Sequence, residues 1–254
     1  MFEKRPPIDK SEYIFGLRPI VEAILAGREI DKILVQKELK NDVIKELYTL
    51  ATDHKIPLVK VPLEKLNRVT RKNHQGVIAF LSSVMYASLD NILNELFSSG
   101  KTPLFLILDR ITDVRNFGAI ARTAECCGAH AIILPSRGGA QINGDAVKTS
   151  AGALNYIPIC REENLKNTIT YLQDSGVQVV ACSEKTDLPF YSFDLKGPLA
   201  IVLGSEEDGV SPEYIKKANA TLKLPILGKI ESLNVSVAAG MALYEVVRQR
   251  TLAS

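Results

Sequence analysis

The sequence LFLILDRITDVRNFGAIAR runs from Leu104 to Arg122 and has the pattern of a strand, a polar loop and a helix. Five consecutive apolar residues, Leu104 to Leu108, are typical of a strand buried on both faces of a sheet. Asn116 is a suitable N-cap for the helix that follows, and Gly128 marks its end. The stretch therefore predicts a strand–loop–helix unit of an α/β fold.

The same succession of apolar run, polar loop and helix repeats through the second part of the chain. Continuous apolar strands separated by helices are typical of a parallel sheet covered by helices on both faces. Ligands of such sheets bind at the carboxyl ends of the strands, so the loops that follow the strands are candidate functional loops. The other predicted strands are Ala131 to Leu134, Val177 to Cys182, Leu199 to Leu203 and Thr221 to Leu224.

The first part of the chain alternates shorter helix and strand patterns and predicts a small α/β domain of about 80 residues. A polar segment with one amphipathic helix, Ser88 to Phe97, then leads to a turn at Ser99 to Pro103. We therefore predict a first domain over residues 1–83, a linker over 84–102 and a second domain over 103–254. The helices of the first domain are predicted at 19–26, 41–54 and 63–69, and its strands at 32–36, 58–61 and 76–81.

The composition of the 254 residues, 46% hydrophobic and 24% charged, is that of a folded globular protein. No apolar stretch approaches the roughly 18 to 20 residues of a transmembrane helix. The amino-terminal MFEKRPPIDKSEY is charged throughout and lacks the apolar core of a secretory signal, so we expect a cytoplasmic protein without membrane contact. The four cysteines and three histidines lack metal-ligand spacings, so we expect reduced thiols and no metal site.

Basic residues are concentrated in the first part of the chain. Residues 1–90 contain 15 Lys and Arg against 12 Asp and Glu, whereas the whole chain has a net charge of +2. Between Lys55 and His74, six basic residues face only Glu64. Such a segment is typical of a contact with an RNA backbone, although a solvated basic face would have the same spacing. The candidate RNA-binding residues are Lys65, Arg68, Arg71 and Lys72.

Three loops of the second domain are rich in polar residues and glycine: 109–122, 204–209 and 225–236. They contain no G-x-G-x-x-G, no G-x-x-x-x-G-K-[ST] and no G-x-S-x-G motif. The absence of these motifs argues against three classes of function: a dinucleotide dehydrogenase, a P-loop ATPase and a serine hydrolase. Arg122 lies in the first loop region, where it could enter the site or stand exposed on the helix.

These loops resemble the three motifs of the SpoU or TrmH family of RNA ribose 2′-O-methyltransferases, within the SPOUT superfamily. The matching segments are NFGAIAR (116–122), LGSEEDG (203–209) and the pattern L-P-x(6)-S-L-N-V-S (224–236). The first domain is similar to the L30e-like substrate-binding domain of the branch that modifies a guanosine in large-subunit ribosomal RNA. The sequence departs from the family's motifs at two positions: Leu224 stands where isoleucine is common, and Glu207 is an extra acid beside Glu206.

The resemblance implies a trefoil-knotted, S-adenosylmethionine-binding second domain that forms a homodimer, consistent with the mostly apolar pattern of residues 234–249. It implies a catalytic or substrate-positioning set and a cofactor-binding set. The catalytic set is Asn116, Arg122, Glu206, Ser232 and Asn234. The cofactor-binding set is Gly204, Leu224 and Leu233, together with Thr149, Ser150, Ala151 and Gly152.

Arg122 is the candidate group that acts on the ribose hydroxyl. Because a guanidinium stays protonated in water, we expect it to bind the adjacent phosphate and to stabilise the developing alkoxide, with direct proton abstraction as the alternative. Glu206 could hold the guanidinium of Arg122. A transfer-RNA substrate, a non-catalytic RNA-binding protein and a small-molecule methyltransferase remain alternatives, and the basic segment argues against the last.

Overall fold

The computed structural model of the protein describes residues 13–40, 42–230 and 232–252. The amino-terminal segment considered for a secretory signal lies outside these residues, apart from Tyr13. The chain forms two compact units that divide after Ser83. No helix of the described ranges has the length and apolarity to cross a membrane. Nor do these residues contain a group of three His, Cys, Asp or Glu that could hold a metal ion.

The first unit is a four-stranded sheet in the order β1-β4-β2-β3, with helices and apolar cores on its two faces. Strands β2 and β3 are parallel, and β4 is antiparallel to β1 and to β2. Ile20, Ile33 and Leu47 are fully buried on one face, and Leu66 and Ile78 on the other. Its elements are β1 (Tyr13–Phe15), α1 (Leu17–Leu25), β2 (Ile30–Gln36), α2 (Asp42–Asp53), β3 (Leu58–Val61), α3 (Leu63–Val69) and β4 (Val77–Leu81).

The second unit is built on a seven-stranded parallel sheet in the order β11-β9-β10-β6-β7-β8-β5. Its strands are β5 (Tyr86–Ala87), β6 (Leu104–Leu108), β7 (Ala131–Pro135), β8 (Ile159–Glu162), β9 (Gln178–Cys182), β10 (Leu199–Leu203) and β11 (Ala220–Leu222). Its helices are α4 (Leu89–Ser98), α5 (Val114–Cys126), α6 (Gly144–Thr149), α7 (Leu165–Asp174), α8 (Pro212–Lys217) and α9 (Val235–Leu252).

Both faces of this sheet are covered, as the continuous apolar strands predict. All five residues of β6 and all five of β10 are buried. Phe117 of α5 and Leu243 of α9 belong to the core on one face, and Leu93 of α4 and Leu165 of α7 to the core on the other. The sheet and its buried strands confirm the predicted α/β class. The trefoil knot that the resemblance implies stays a prediction.

The segment 84–102 is part of the second unit, although the sequence pattern predicts a linker there. Tyr86 in β5 pairs with Ile159 in β8, so this segment supplies the last strand of the parallel sheet. Leu89, Leu93 and Leu96 of α4 are buried in the core of that unit. The linker prediction is wrong because the apolar side of α4 packs into the core of the second unit. The polar residues around the helix give no indication of this packing.

Two details of α5 and α9 also differ from expectation. The N-cap of α5 is Asp113, whose carboxylate accepts hydrogen bonds from the N–H groups of Arg115 and Asn116. Asn116 therefore lies inside the helix, which leaves its side chain available for other contacts. Helix α9 is predicted to be apolar and buried on most faces, but Met241 is 44% exposed and Tyr244 67% exposed.

Candidate active site

A pocket of about 730 Å³ opens at the carboxyl ends of the central strands of the second unit. Its walls come from the segments that follow β6, β9, β10 and β11 and from the first turn of α9. Ligands of parallel α/β sheets bind at this edge, in pockets of about 300–1,000 Å³. The position and the volume both fit a binding site for a small molecule.

The loop from Gly204 to Gly209 forms one wall of the pocket and folds back on itself. The N–H of Gly209 donates a hydrogen bond of 3.0 Å to the carbonyl of Ser205. A Cβ added at Gly204 would lie 2.0 Å from the carbonyl carbon of Gly209 and 2.0 Å from the nitrogen of Val210. Position 204 therefore has room for glycine alone, which brings its backbone directly to the pocket.

The segment after β11 forms the facing part of the wall. It places Leu224, Ser232 and Leu233 in the lining, and Leu233 is 37% exposed. Together with Gly204, the two leucines are three of the predicted cofactor-binding residues. The structure brings these three residues into one pocket from two segments, and Gly204 lies 20 positions before Leu224 in sequence.

Three predicted catalytic residues, Asn116, Glu206 and Asn234, form one hydrogen-bond network. The amide Nδ2 of Asn116 donates to Oε1 of Glu206 at 2.6 Å, and Nδ2 of Asn234 donates to the same oxygen at 2.8 Å. Nδ2 of Asn234 also lies 3.0 Å from Oδ1 of Asn116, its second acceptor. Each residue comes from a different motif, so the network joins the starts of α5 and α9 to the pocket loop.

Asn234 has a second role at the start of α9. Its Oδ1 accepts a hydrogen bond of 2.9 Å from the N–H of Ser236, which is the geometry of an N-cap. Asn234 therefore caps α9, and Ser232 lies two residues before the cap. The cap fixes one side of the amide, and the other side is thereby directed at Glu206.

Arg110 connects the loop after β6 to the loop after β10. Its Nη1 donates to Oδ2 of Asp208 at 2.7 Å, its Nη2 to the carbonyl of Gly209 at 3.1 Å, and its Nε to Oδ1 of Asp109 at 3.1 Å. Asp109 is 2% exposed, and its other oxygen accepts from the N–H of Ser211 at 2.7 Å. The hydrogen bond with Asp109, then that with Asp208, raises the pKa of Arg110 above its ordinary value.

Arg122 lies on α5 with its side chain exposed, and it does not line the pocket. Glu206 does not form an ion pair with Arg122, although both residues belong to the described part of the chain; Oε1 of Glu206 is bound by the two asparagine amides instead. The expectation that Glu206 holds the guanidinium is therefore wrong for this structure. The exposed guanidinium is free to meet a ligand from solution.

The segment from Thr149 to Gly152 lies against α5 and not in the pocket. A Cβ added at Gly118 would lie 2.6 Å from the Cβ of Thr149, so the two segments are in close contact. Ser150 is buried, and its hydroxyl donates to the carbonyl of Val147 at 2.8 Å. Thr149, Ser150, Ala151 and Gly152 are absent from the residues that line this pocket, so their assignment to the cofactor stays a prediction.

The segment after β9 is the part of the pocket wall that sequence reasoning missed. Cys182, Ser183 and Glu184 all line the pocket. Burial raises the pKa of Cys182 to about 12, so its thiol stays protonated and is not a nucleophile at neutral pH. The only sequence signal was position, because this segment follows a buried strand and carries polar residues.

The candidate RNA-binding residues belong to the first unit. Lys65 and Arg68 lie on α3, Arg71 and Lys72 follow it, and all four side chains are exposed. The Nζ of Lys72 lies 5.9 Å from the ring centre of Phe15. Within the first unit these cations are available to a partner, as a contact with a polyanion requires.

Comparison with known proteins identifies the family of both units. Residues 103–244 match the model of the SpoU rRNA Methylase family, and residues 13–87 match that of RNA 2′-O ribose methyltransferase substrate binding. A protein of Staphylococcus saprophyticus, named at family level as a TrmH family tRNA/rRNA methyltransferase, is 36% identical over 93% of this chain and 95% of its own. The Bacillus subtilis protein YacO, named in the same way, is 34% identical over 94% of this chain and 96% of its own length.

A solved structure supports the same assignment. The AdoMet-bound rRNA methyltransferase of Sinorhizobium meliloti is 26% identical, covers 93% of this chain and 87% of its own, and superposes with a TM-score of 0.59. The two family matches lie in the two compact units, and the match over residues 103–244 contains every loop that forms the pocket. The chain therefore belongs to the SpoU/TrmH family of RNA methyltransferases.

Proposed function

We propose that this protein transfers a methyl group from S-adenosylmethionine to the 2′ oxygen of a ribose in RNA, at a guanosine of large-subunit ribosomal RNA. The observation that carries the proposal is the Asn116–Glu206–Asn234 network at the pocket loop, which unites residues of all three sequence motifs. A protein that only bound RNA would have no use for this network beside a pocket of cofactor size.

The pocket lining fits the proposed cofactor. Leu203, Leu224 and Leu233 supply apolar surface, and Gly204 brings backbone to the wall without a side chain. The carboxylate of Glu184 also lines the pocket and would favour a cationic ligand. When bound, S-adenosylmethionine supplies an electrophilic methyl group on a sulfonium centre. The residues of this chain then have to orient the ribose and stabilise the charge that develops on its oxygen.

We assign that charge stabilisation to Arg122. Its exposed guanidinium can bind the phosphate next to the target ribose and stabilise negative charge on the 2′ oxygen. It is a poor base because it stays protonated in water, so we assign the hydroxyl proton to solvent. The amides of Asn116 and Asn234 and the hydroxyl of Ser232 are assigned to orientation of the nucleotide and of the pocket loop.

The first unit supports ribosomal RNA as the substrate class. Its match to a substrate-binding model and its exposed cations, Lys65, Arg68, Arg71 and Lys72, suit a large structured RNA. The relatives from Staphylococcus saprophyticus and Bacillus subtilis carry names that include both tRNA and rRNA. Transfer RNA is therefore the second candidate substrate.

The test is transfer of labelled methyl groups from S-adenosylmethionine to purified RNA that lacks modifications. Large-subunit ribosomal RNA and total transfer RNA are assayed side by side. Label is expected in a dinucleotide of the ribosomal RNA that resists alkali, because a methylated 2′ oxygen cannot attack the neighbouring phosphate. Label on a base would overturn the reaction type, and label confined to transfer RNA would overturn the substrate.

We further propose that the second unit forms a symmetric homodimer. Val237, Met241 and Tyr244 of α9 are 50%, 44% and 67% exposed, and they lie at helical spacing on one stripe. An exposed apolar stripe on a helix whose opposite face is fully buried is typical of an interface. A second copy of the same chain would cover this stripe in a twofold-symmetric dimer, the commonest assembly of identical chains.

A further inference from the structure

Arg110 has an unusual backbone for its residue type. Its φ is +58°, in the left-handed region that favours glycine, and it lies two residues after the buried end of β6. An arginine in this conformation is disfavoured unless its side chain makes contacts that offset the cost. The side chain of Arg110 makes three such hydrogen bonds, described above, and two of them go to Asp208 and Gly209 in the pocket loop.

Contacts at the tip and at the base hold the conformation of the loop from Gly204 to Gly209. Glu206, near its tip, is bound by the amides of Asn116 and Asn234. Asp208 and Gly209, at its base, are bound by Arg110, and Gly209 in turn hydrogen-bonds to Ser205. Gly204 packs so closely against Gly209 that an added Cβ would lie 2.0 Å from the Gly209 carbonyl carbon. A shift of Gly209 therefore changes the pocket wall at Gly204.

We infer that Arg110 is a positioning residue that holds the 204–209 loop in its ligand-binding conformation and thereby sets the affinity for the cofactor. The inference rests on the proposed function for the identity of that cofactor. It assigns no chemical step to Arg110, which acts through Asp208 and Gly209. Arg110 itself lines the pocket and Asp109 anchors it, so the start of the first loop shapes the pocket although neither residue belongs to the predicted catalytic or cofactor-binding sets.

Charge alone does not explain these contacts. The Arg110 side chain is 39% exposed and the Asp208 side chain 67% exposed, so their ion pair adds little to the overall stability. Asp109, at 3% side-chain exposure, is buried and fixes the other side of the guanidinium. A planar guanidinium with one edge anchored on a buried acid can fix the position of a second group, which a flexible ammonium cannot do.

The experiment compares Arg110→Gly with the wild type. Glycine adopts φ +58° without strain, so this change removes the three hydrogen bonds and keeps the backbone conformation favourable. Hydrogen exchange of the amides in residues 204–209 is measured in the ligand-free protein, and binding of S-adenosylmethionine is measured by calorimetry. Arg110→Lys, which keeps the charge, serves as a second variant. Arg115→Ala removes an exposed cation of the same unit and is the matched control.

We expect Arg110→Gly to accelerate exchange in 204–209 and to raise the Kd for S-adenosylmethionine on the order of tenfold, with little change in the thermal midpoint. Arg110→Lys should recover only part of the affinity, and Arg115→Ala should behave as the wild type. A double variant with Asp208→Asn should bind no more weakly than Arg110→Gly alone, because both changes remove the same contact.

Failure of this inference differs from failure of the proposed function. Unchanged exchange in 204–209 together with an unchanged Kd overturns the role of Arg110 while the wild type still binds the cofactor. A fall in the thermal midpoint with uniform acceleration of exchange across the second unit also overturns it, because that result describes a general structural residue. A wild-type protein that binds no S-adenosylmethionine overturns the proposed function, and the cofactor part of this inference with it.

Discussion

Arg122 is the residue whose position and proposed task have to be reconciled. It is exposed on α5 and does not line the pocket that holds Gly204, Leu224 and Leu233. A residue outside the pocket can act on RNA that approaches from solution without contributing to cofactor affinity. The two properties, catalysis and cofactor binding, should therefore separate when Arg122 is replaced.

We predict that Arg122→Ala lowers the rate of methyl transfer by a factor on the order of a hundred, because one charge-stabilising donor is lost. Arg122→Lys should recover little of it, since an ammonium cannot make the planar two-pronged contact. Single-turnover transfer at saturating RNA gives the rate, and calorimetry gives the affinity for the cofactor, which should not change. An unaltered rate would remove Arg122 from the catalytic set, and loss of cofactor binding would assign it to the pocket.

His130 provides a prediction about pH. Its Nδ1 accepts a hydrogen bond of 3.1 Å from the N–H of Leu104, at the start of β6. Burial, with a smaller effect of Arg250 and Lys101, lowers the pKa of His130 below its ordinary value of 6.5. Below that pH the unfolded chain binds more protons than the folded one, so the free energy of unfolding should fall as the pH decreases.

The check is the urea midpoint at about pH 7.5 and about pH 5.5 for the wild type and for His130→Gln. The wild type should lose stability between the two conditions, and the variant should lose less because the titrating group is gone. An equal loss in both proteins would show that other groups cause the pH dependence.

Residue identities were easier to predict than residue contacts. The motif pattern singles out Asn116, Glu206 and Asn234, and the structure brings them within hydrogen-bond distance. Asp113 and Asn116 are equally suitable N-cap residues, and only the structure shows that Asp113 caps α5, which frees the Asn116 side chain for the network. The role of Arg110 depends on its φ and on Gly209, which is 99 positions away in sequence, and neither can be read from local spacing.

At the scale of elements, strands with long apolar runs were the most predictable. The observed bounds of β6 and β10 equal the predicted ones, because five consecutive apolar residues leave no other place for the strand. Strand β5 has only two residues and β8 only two buried ones, so neither gave a signal. The exposed stripe of α9 was missed because overall apolarity does not tell which face meets the core.

The pocket loop supplies a prediction about glycine. Gly204→Ala would place a Cβ 2.0 Å from the backbone of Gly209, which can yield only if the loop moves. We expect a loss of roughly 3 kcal/mol in the free energy of unfolding, or a displaced loop that no longer binds S-adenosylmethionine. Gly197→Ala is the control, since a Cβ there would meet nothing within 4 Å. Denaturant unfolding and calorimetry should find both properties unaltered in the control, and the same result for Gly204→Ala would contradict the steric argument.

Helix α3 and the residues after it carry the prediction about RNA. Replacement of Arg68, Arg71 and Lys72 by alanine should weaken RNA binding and flatten its salt dependence by up to about three units of slope, about one for each lost phosphate contact. Affinity for the cofactor should stay constant. The control removes equal charge from the second unit through Lys166, Lys196 and Lys216, all exposed. If both triple variants bind RNA equally well at every salt concentration, the basic segment is only a solvated face.

For the whole molecule, the proposed dimer makes the most accessible prediction. Light scattering at micromolar concentration should give twice the chain mass of 27.9 kDa. Met241→Glu with Tyr244→Glu should give a monomer, because two charges cannot be buried in an apolar interface. Tyr156→Glu, which changes a tyrosine that is 78% exposed and lies outside α9, should leave the mass unchanged. A wild-type mass of one chain would contradict the dimer.

Ribose-methylation mapping of total RNA decides whether this protein methylates a ribose of ribosomal RNA. The map is compared between cells that contain the gene, cells that lack it and cells complemented with the wild-type or the Arg122→Ala gene. We predict that one 2′-O-methylated guanosine of the large-subunit ribosomal RNA disappears without the gene and returns only with the wild-type copy. An identical map in cells that lack the gene, or a loss confined to base methylation, would contradict it.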